Sequence, residues 1–104
     1  MGKGKGMIID VTPFVVDCSE KEQARKVLEE AAEVFGAWQT LQECMYVDAH
    51  TDANGLAVTL SKLDLADEIA DVIQAACNLA ERHGIDVAAA MVRCTERQRK
   101  RGRL

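Results

Sequence analysis

The sequence predicts an all-α protein, a bundle of three to four helices in one domain. Three observations predict it. Two long segments repeat apolar residues at helical spacing. Strong start and stop signals bracket those segments. Aromatic residues are only 4% of the chain while alanine is abundant, a composition that suits closely packed helices. A chain of 104 residues buries a small core, so oligomerisation is expected to complete it.

The elements follow in order. Met1 to Gly6 reads as a flexible arm or an alternative start ahead of Met7. Met7 to Val16 is apolar but interrupted by Pro13, which disfavours helix at Thr12. With no strand partner elsewhere, this lead-in is expected to pack on the bundle. Residues 1–16 are thus the arm and lead-in, and 17–104 a single helical domain. Ser19-Glu20-Lys21-Glu22 is a capping box. It opens a helix running through Trp38 towards Tyr46, weakened locally by Gly36. Residues 48–60, with Asn54-Gly55, read as a loop. Ser61 or Asp64 would cap the second helix, which runs to Arg82-His83 and stops at Gly84. Asp86 would cap a third helix, Val87 to about Arg99.

Two acidic stretches stand out, Glu30-Ala31-Ala32-Glu33 and Glu68-Ile69-Ala70-Asp71. Residues three apart are neighbours on a helix face, so each stretch aims two carboxylates at one spot. In the first helix the apolar stripe is Ala24, Val27, Leu28, Ala31, Phe35 and Trp38. In the second it is Leu65, Ile69, Val72, Ile73, Ala76 and Ala80. Glu30 and Glu33 fall roughly 100° and 160° from the stripe centre, and Glu68 and Asp71 fall at the same offsets. The acidic faces continue into Ala37, Leu41 and Cys44, and into Ala75, Asn78 and Leu79. A solvated face continues in Lys, Glu and Gln. These faces are therefore expected to be covered, by another helix or by a second chain over the small residues near Ala37 and Ala75. Four converging carboxylates repel unless a cation lies between them, and oxygen-only ligands suit Mg²⁺. The competing reading is two ordinary charged helix faces.

The remaining composition bounds the function. A net charge of −4 argues against general nucleic-acid binding. The charge is uneven, with six basic residues and one acid from Arg93 to Arg103. Cys18, Cys44, Cys77 and Cys94 form no CxxC pair and read as reduced, mostly buried thiols of a cytoplasmic protein. No segment is long and apolar enough for a membrane span, and no signal-peptide core is expected.

The quoted acids lie within longer phrases. Lys26-Val-Leu-Glu29-Glu30-Ala-Ala-Glu33, then Asp67-Glu68-Ile-Ala-Asp71-Val-Ile, then Asn78-Leu-Ala-Glu-Arg-His-Gly84-Ile-Asp86 resemble the MazG-like all-α nucleoside triphosphate pyrophosphohydrolases. That family's pattern is ExxE followed by ExxD on the next helix. The basic ending Glu96-Arg97-Gln98-Arg99-Lys100-Arg101-Gly102 is similar to that of its small members. The resemblance covers roughly residues 17 to 103. The separation of the two motifs is longer than usual, with the extra length in 48–60. The resemblance implies a MazG-like bundle that forms a homodimer or homotetramer. It implies hydrolysis of a (d)NTP to the monophosphate and pyrophosphate. It also implies Mg²⁺ or Mn²⁺ held by Glu30, Glu33, Glu68 and Asp71. The chain has no Walker A loop, so helix-borne metal is its visible phosphate device.

Other residues carry two readings each. Asn78, two turns after Asp71, binds a phosphate or ribose oxygen or is a buried amide. Trp38 stacks on a base or packs in the core. Arg97 and Arg101, spaced i, i+4, hold the triphosphate or complement the helix macrodipole. Glu29 points to another sector and reads as solvated, as does His50 beside Asp52. The alternative function is a non-enzymatic helical dimer whose basic tail binds nucleic acid.

Overall fold

The computed structural model describes residues 6–51 and 54–104. It is all-helical, with α1 at Glu20–His50, α2 at Leu56–Arg82 and α3 at Val87–Lys100. Among the described residues there is no strand. The expected N-terminal arm lies, up to residue 5, outside the described residues.

Local chemistry sets the helix ends. Ser19 Oγ accepts from the Glu22 backbone N–H at 3.2 Å, and the Ser19 N–H donates to Glu22 Oε2 at 3.1 Å. This reciprocal cap satisfies two N–H groups that helix geometry leaves without partners. Gly36 does not interrupt α1, which continues past Tyr46 to His50. Gly84 closes α2 in the left-handed region, with a φ of 64°. The Ile85 N–H there reaches back to the Ala80 carbonyl at 2.9 Å. Such a glycine is a common helix stop, because a side chain would strain that backbone. Asp86 caps α3 by accepting from the Ala89 N–H at 3.0 Å.

The expected loop over 48–60 is a much shorter connection. Neither Ser61 nor Asp64 caps α2, because the helix begins at Leu56. Asn54-Gly55 is the turn itself. Asn54 Oδ1 accepts from the Leu56 N–H at 3.1 Å, and Gly55 takes a φ of 80°. Only glycine adopts that conformation freely. Leu56, Ala57 and Leu60 then extend the helical period one turn earlier than the polar cap signals indicated. Ser61 is buried inside α2, its Oγ hydrogen-bonded to Cys44 Sγ at 3.2 Å.

α1 and α2 form an antiparallel hairpin. Arg82 faces Glu20 at 3.9 Å near one end, and Ser61 faces Cys44 towards the other. The covered positions of α1 are Gln23, Val27, Glu30, Val34, Ala37, Leu41, Cys44 and Asp48. Steps of three and four define a coiled-coil seam. Its counterpart on α2 is Ser61, Leu65, Glu68, Val72, Ala75 and Asn78. Of the acids expected to be covered, Glu30 and Glu68 are covered, by the facing helix of the same chain, whereas Glu33 and Asp71 are exposed. The apolar stripe assigned to the core of α1 lies largely outside, with Leu28 71% exposed, Phe35 59% and Trp38 46%, whereas that of α2 is covered at Leu65, Val72, Ile73 and Ala80 and exposed at Ile69 and Ala76. A single hairpin buries only one face of each helix, and faces rich in Ala, Ser and Cys permit the closest approach.

The lead-in lies along the hairpin. Gln74 Nε2 donates to the Thr12 carbonyl and the Phe14 N–H donates to Asn78 Oδ1, both at 3.1 Å. α3 buries no residue and contributes little to the packing, which is that of α1 against α2. The chain is correspondingly open. Its radius of gyration is 17.2 Å. A compact chain of this length would have roughly 13 Å. Its accessible surface is 8342 Å². A compact monomer of its mass would expose roughly 5800 Å².

Candidate metal centre

Residues of the seam build the site. The α1 register that buries Gln23 and Leu41 also buries Glu30, and the α2 register that buries Ala75 carries Glu68 into the same interface. Ligand atoms of Glu30, Glu68 and Asp71 lie within 4.8 Å of one another. Glu30 Oε2 and Glu68 Oε2 are shielded from solvent and have no hydrogen-bond partner. A buried acceptor without a partner carries the full cost of its lost hydration. Two of them stand on neighbouring carboxylates.

Lys26 meets part of that demand. Its Nζ is 2.8 Å from Glu30 Oε1, one helical turn away. This hydrogen bond holds the Glu30 carboxyl below the usual carboxylate range and raises the Lys26 ammonium. Glu33 has the opposite environment. The neighbouring Glu68 carboxyl, followed by the charge of Glu30, holds its carboxyl above the usual range. Glu33 therefore stands beside Glu30 and Glu68, but it is not among the three acids whose ligand atoms come within 4.8 Å of one another. Glu29 is exposed, 4.0 Å from Arg25, and borders the same cavity as Glu30 and Asp71.

Two cavities flank the acids. One, of about 540 Å³, is bordered by Glu30 and Asp71 together with Phe14, Gln23, Lys26 and Asn78. The other, of about 380 Å³, is bordered by Glu33 and Glu68 with Ser61 and Asp64. Asn78 is buried, and its Oδ1 accepts from both the Phe14 N–H and Gln74 Nε2, so it anchors the lead-in beside the first cavity.

No family model, no curated protein and no solved structure matches the chain. Function is read from the chemistry of the site, since a helical hairpin by itself specifies none.

Three other candidate residues stand apart from the acids within one chain. Trp38 lines neither cavity and stacks on Phe35, with ring centroids 5.8 Å apart. Arg97 and Arg101 lie at the C-terminal end of α3, which borders neither cavity. Arg99 pairs with Glu96, and Arg103 Nη1 donates to Gln98 Oε1 at 2.8 Å, so part of the basic end is engaged locally. His50 ends α1, with its Nδ1 2.7 Å from the Tyr46 carbonyl; Asp52 lies outside the described residues.

The sequence reading passed over three residues of the site. Lys26 was legible, because Lys and Glu four apart on a helix pair routinely. Gln23 lies seven before Glu30 and so shares its seam position, a weaker signal. Phe14 gave none, because its place depends on how the lead-in docks.

Proposed function

We propose that the chain is a metal-dependent nucleoside triphosphate pyrophosphohydrolase, converting a (d)NTP to the monophosphate and pyrophosphate. The observation that carries this reading is the pair of buried, unpartnered carboxylate oxygens on Glu30 and Glu68, facing a cluster completed by Asp71. The donor set is all oxygen and anionic, which fits Mg²⁺ or Mn²⁺ and fits poorly a thiophilic ion. Glu30, Glu68 and Asp71 would hold it, with Glu33 beside them. When bound, the ion supplies charge neutralisation for the polyphosphate and lowers the pKa of a water for attack at the α-phosphorus.

The residues themselves do the rest. Lys26 balances Glu30 in the free protein and would turn towards a phosphate oxygen when substrate binds. Glu33, holding its proton more tightly than an ordinary glutamate, is placed to exchange a proton with water at the cluster. Arg97 and Arg101 would reach the triphosphate from another protomer, since their own chain keeps them away from both cavities. Association as a homodimer or homotetramer accounts for the exposed stripes. Both helices carry their acids at the same offset from the stripe and run antiparallel. Both stripes therefore fall on one side of the hairpin, where Phe35, Trp38 and Ile69 await cover. Four free thiols fit a cytoplasmic setting.

The test is release of pyrophosphate from a panel of ordinary and modified (d)NTPs with Mg²⁺. Pyrophosphate and monophosphate in equal amounts are expected. Orthophosphate alone, or no product with any nucleotide, refutes the reading.

A second reading rests on α3, whose basic end stands clear of the hairpin with no buried residue. A helical dimer using that end on nucleic acid would bind oligonucleotides with steep salt dependence and hydrolyse nothing.

A further inference from the structure

Two consecutive ion pairs of the same spacing lie on α1, and only one of them closes on a buried acid. Arg25 faces Glu29 and Lys26 faces Glu30, each acid four residues after its base. Arg25 and Glu29 stand 4.0 Å apart with both side chains more than half exposed, an ordinary solvated pair of little consequence. Lys26 Nζ lies 2.8 Å from Glu30 Oε1, and the Glu30 side chain is only 9% exposed. Lys26 thus holds one oxygen of this carboxylate, while the other, Oε2, is shielded and has no hydrogen-bond partner. Among the described residues, Lys26 is the one cation paired with any of Glu30, Glu68 and Asp71, whose ligand atoms lie within 4.8 Å of one another. The lysine side chain itself is 57% exposed, so its ammonium can leave Glu30 for water without disturbing the packing of the helices.

We infer that Lys26 is a built-in counter-ion of the acidic cluster, which a divalent cation must displace from Glu30 in order to bind. The inference rests on the reading of the acids as a metal centre, and it adds the residue that sets how readily the centre fills. A buried charge without a partner is far more costly than an exposed one, so the pair with Glu30 persists where the pair of Arg25 with Glu29 comes and goes. A ligand that needs Glu30 free binds with its intrinsic affinity reduced by the fraction of chains in which Glu30 is free. A pair formed about nine times in ten weakens the apparent affinity about tenfold. Lys26 therefore acts in two directions. It spares the metal-free hairpin a bare carboxylate in its seam, and it holds down the affinity for the ion that replaces it.

The experiment titrates Mn²⁺ into the wild type, Lys26→Met and Arg25→Met by calorimetry at one ionic strength. Methionine keeps most of the stem and removes the charge. Arg25→Met removes an equal charge one residue away, from a side chain that borders the same cavity, and so measures the general electrostatic effect. Lys26→Met should bind Mn²⁺ at least about tenfold more tightly than the wild type. Arg25→Met should stay within about twofold of it, since solvent and salt screen an exposed charge. Without metal, Lys26→Met should melt below both other proteins, because Glu30 is left charged and unpaired. A readout on the wild type keeps the test decisive if Lys26→Met folds poorly: lysine acylation mapped by mass spectrometry with and without Mn²⁺. Lys26 should label severalfold faster with Mn²⁺, whereas Lys21, exposed in the first turn of α1, should keep its rate. Mn²⁺ binding by the wild type with Lys26 labelling unchanged overturns the inference and leaves the metal centre, as does equal tightening in Lys26→Met and Arg25→Met. Binding by Lys26→Met alone upholds both. No binding by the wild type or by Lys26→Met removes the metal centre and the inference with it.

Discussion

Replacing Leu41 by alanine tests which face of α1 is the core of the chain. Leu41 is the largest apolar side chain buried in the seam, 8% exposed. Truncation removes three carbons, about 2.4 kcal/mol at ~0.8 kcal/mol per buried CH₂. The cavity left behind raises the loss to about 3–4 kcal/mol, because the helices can close it only in part. For a domain of this size each kcal/mol moves the melting midpoint by roughly 4 °C or more, so a drop of at least about 12 °C is expected. The comparison is Trp38→Ala, at a side chain 46% exposed on the outer stripe. In the dissociated chain it should cost about 1 kcal/mol, chiefly the stacking on Phe35, well below the loss at Leu41. At higher protein concentration the same variant should lose the part of its midpoint that rises with association. The assay is thermal melting followed by circular dichroism over a wide range of protein concentration, with sedimentation to mark where the chain is monomeric. If Leu41→Ala melts like the wild type while Trp38→Ala loses about 3 kcal/mol in the monomer, the seam has been assigned to the wrong face.

Three further outcomes are expected. Millimolar Mg²⁺ or Mn²⁺ should raise the melting midpoint of the wild type by mass action, and Glu68→Gln or Asp71→Asn should abolish both the rise and turnover; a variant with undiminished metal dependence is struck from the ligand set. Glu33, with its folded-state pKa raised, contributes stability that is full below the ordinary glutamate range and is lost as pH rises through the raised value, whereas Glu30, with its pKa lowered, contributes stability that is lost only as pH falls through its lowered value. The metal-free protein should accordingly gain stability on mild acidification from neutral pH and lose it in stronger acid, and a Glu33→Gln protein that keeps the mild-acid gain assigns the effect elsewhere. Deleting residues 97–104 should raise KM far more than it lowers kcat and leave the metal-induced rise in midpoint intact; an active truncation with unchanged KM makes the basic end a solvated helix terminus.

The sequence by itself determined the helices and most of their ends. Capping chemistry is local: Ser19 with Glu22, Asp86 with Ala89 and Gly84 act within a few residues, so spacing alone exposes them. It also set the acids on matching faces, because side-chain direction on a helix follows from the 3.6-residue turn. The tertiary structure decided which faces met. Hydrophobicity pointed to the stripe of Leu28, Phe35 and Trp38 as the core, but a two-helix hairpin has one interface, and Ala37, Ser61 and Ala75 let the helices approach there. That choice draws Glu30 and Glu68 out of water with Oε2 atoms unpartnered, a property that no single helix possesses. It also left α3, with Arg97 and Arg101 at its end, away from the acids, because a helix with no buried residue has nothing in its own chain to hold it there. The cavity of Phe14 and Gln23 arose in the same way. It exists only where the lead-in crosses the hairpin, held by Asn78 and Gln74 across more than sixty residues of sequence, and local spacing carries no record of such contacts.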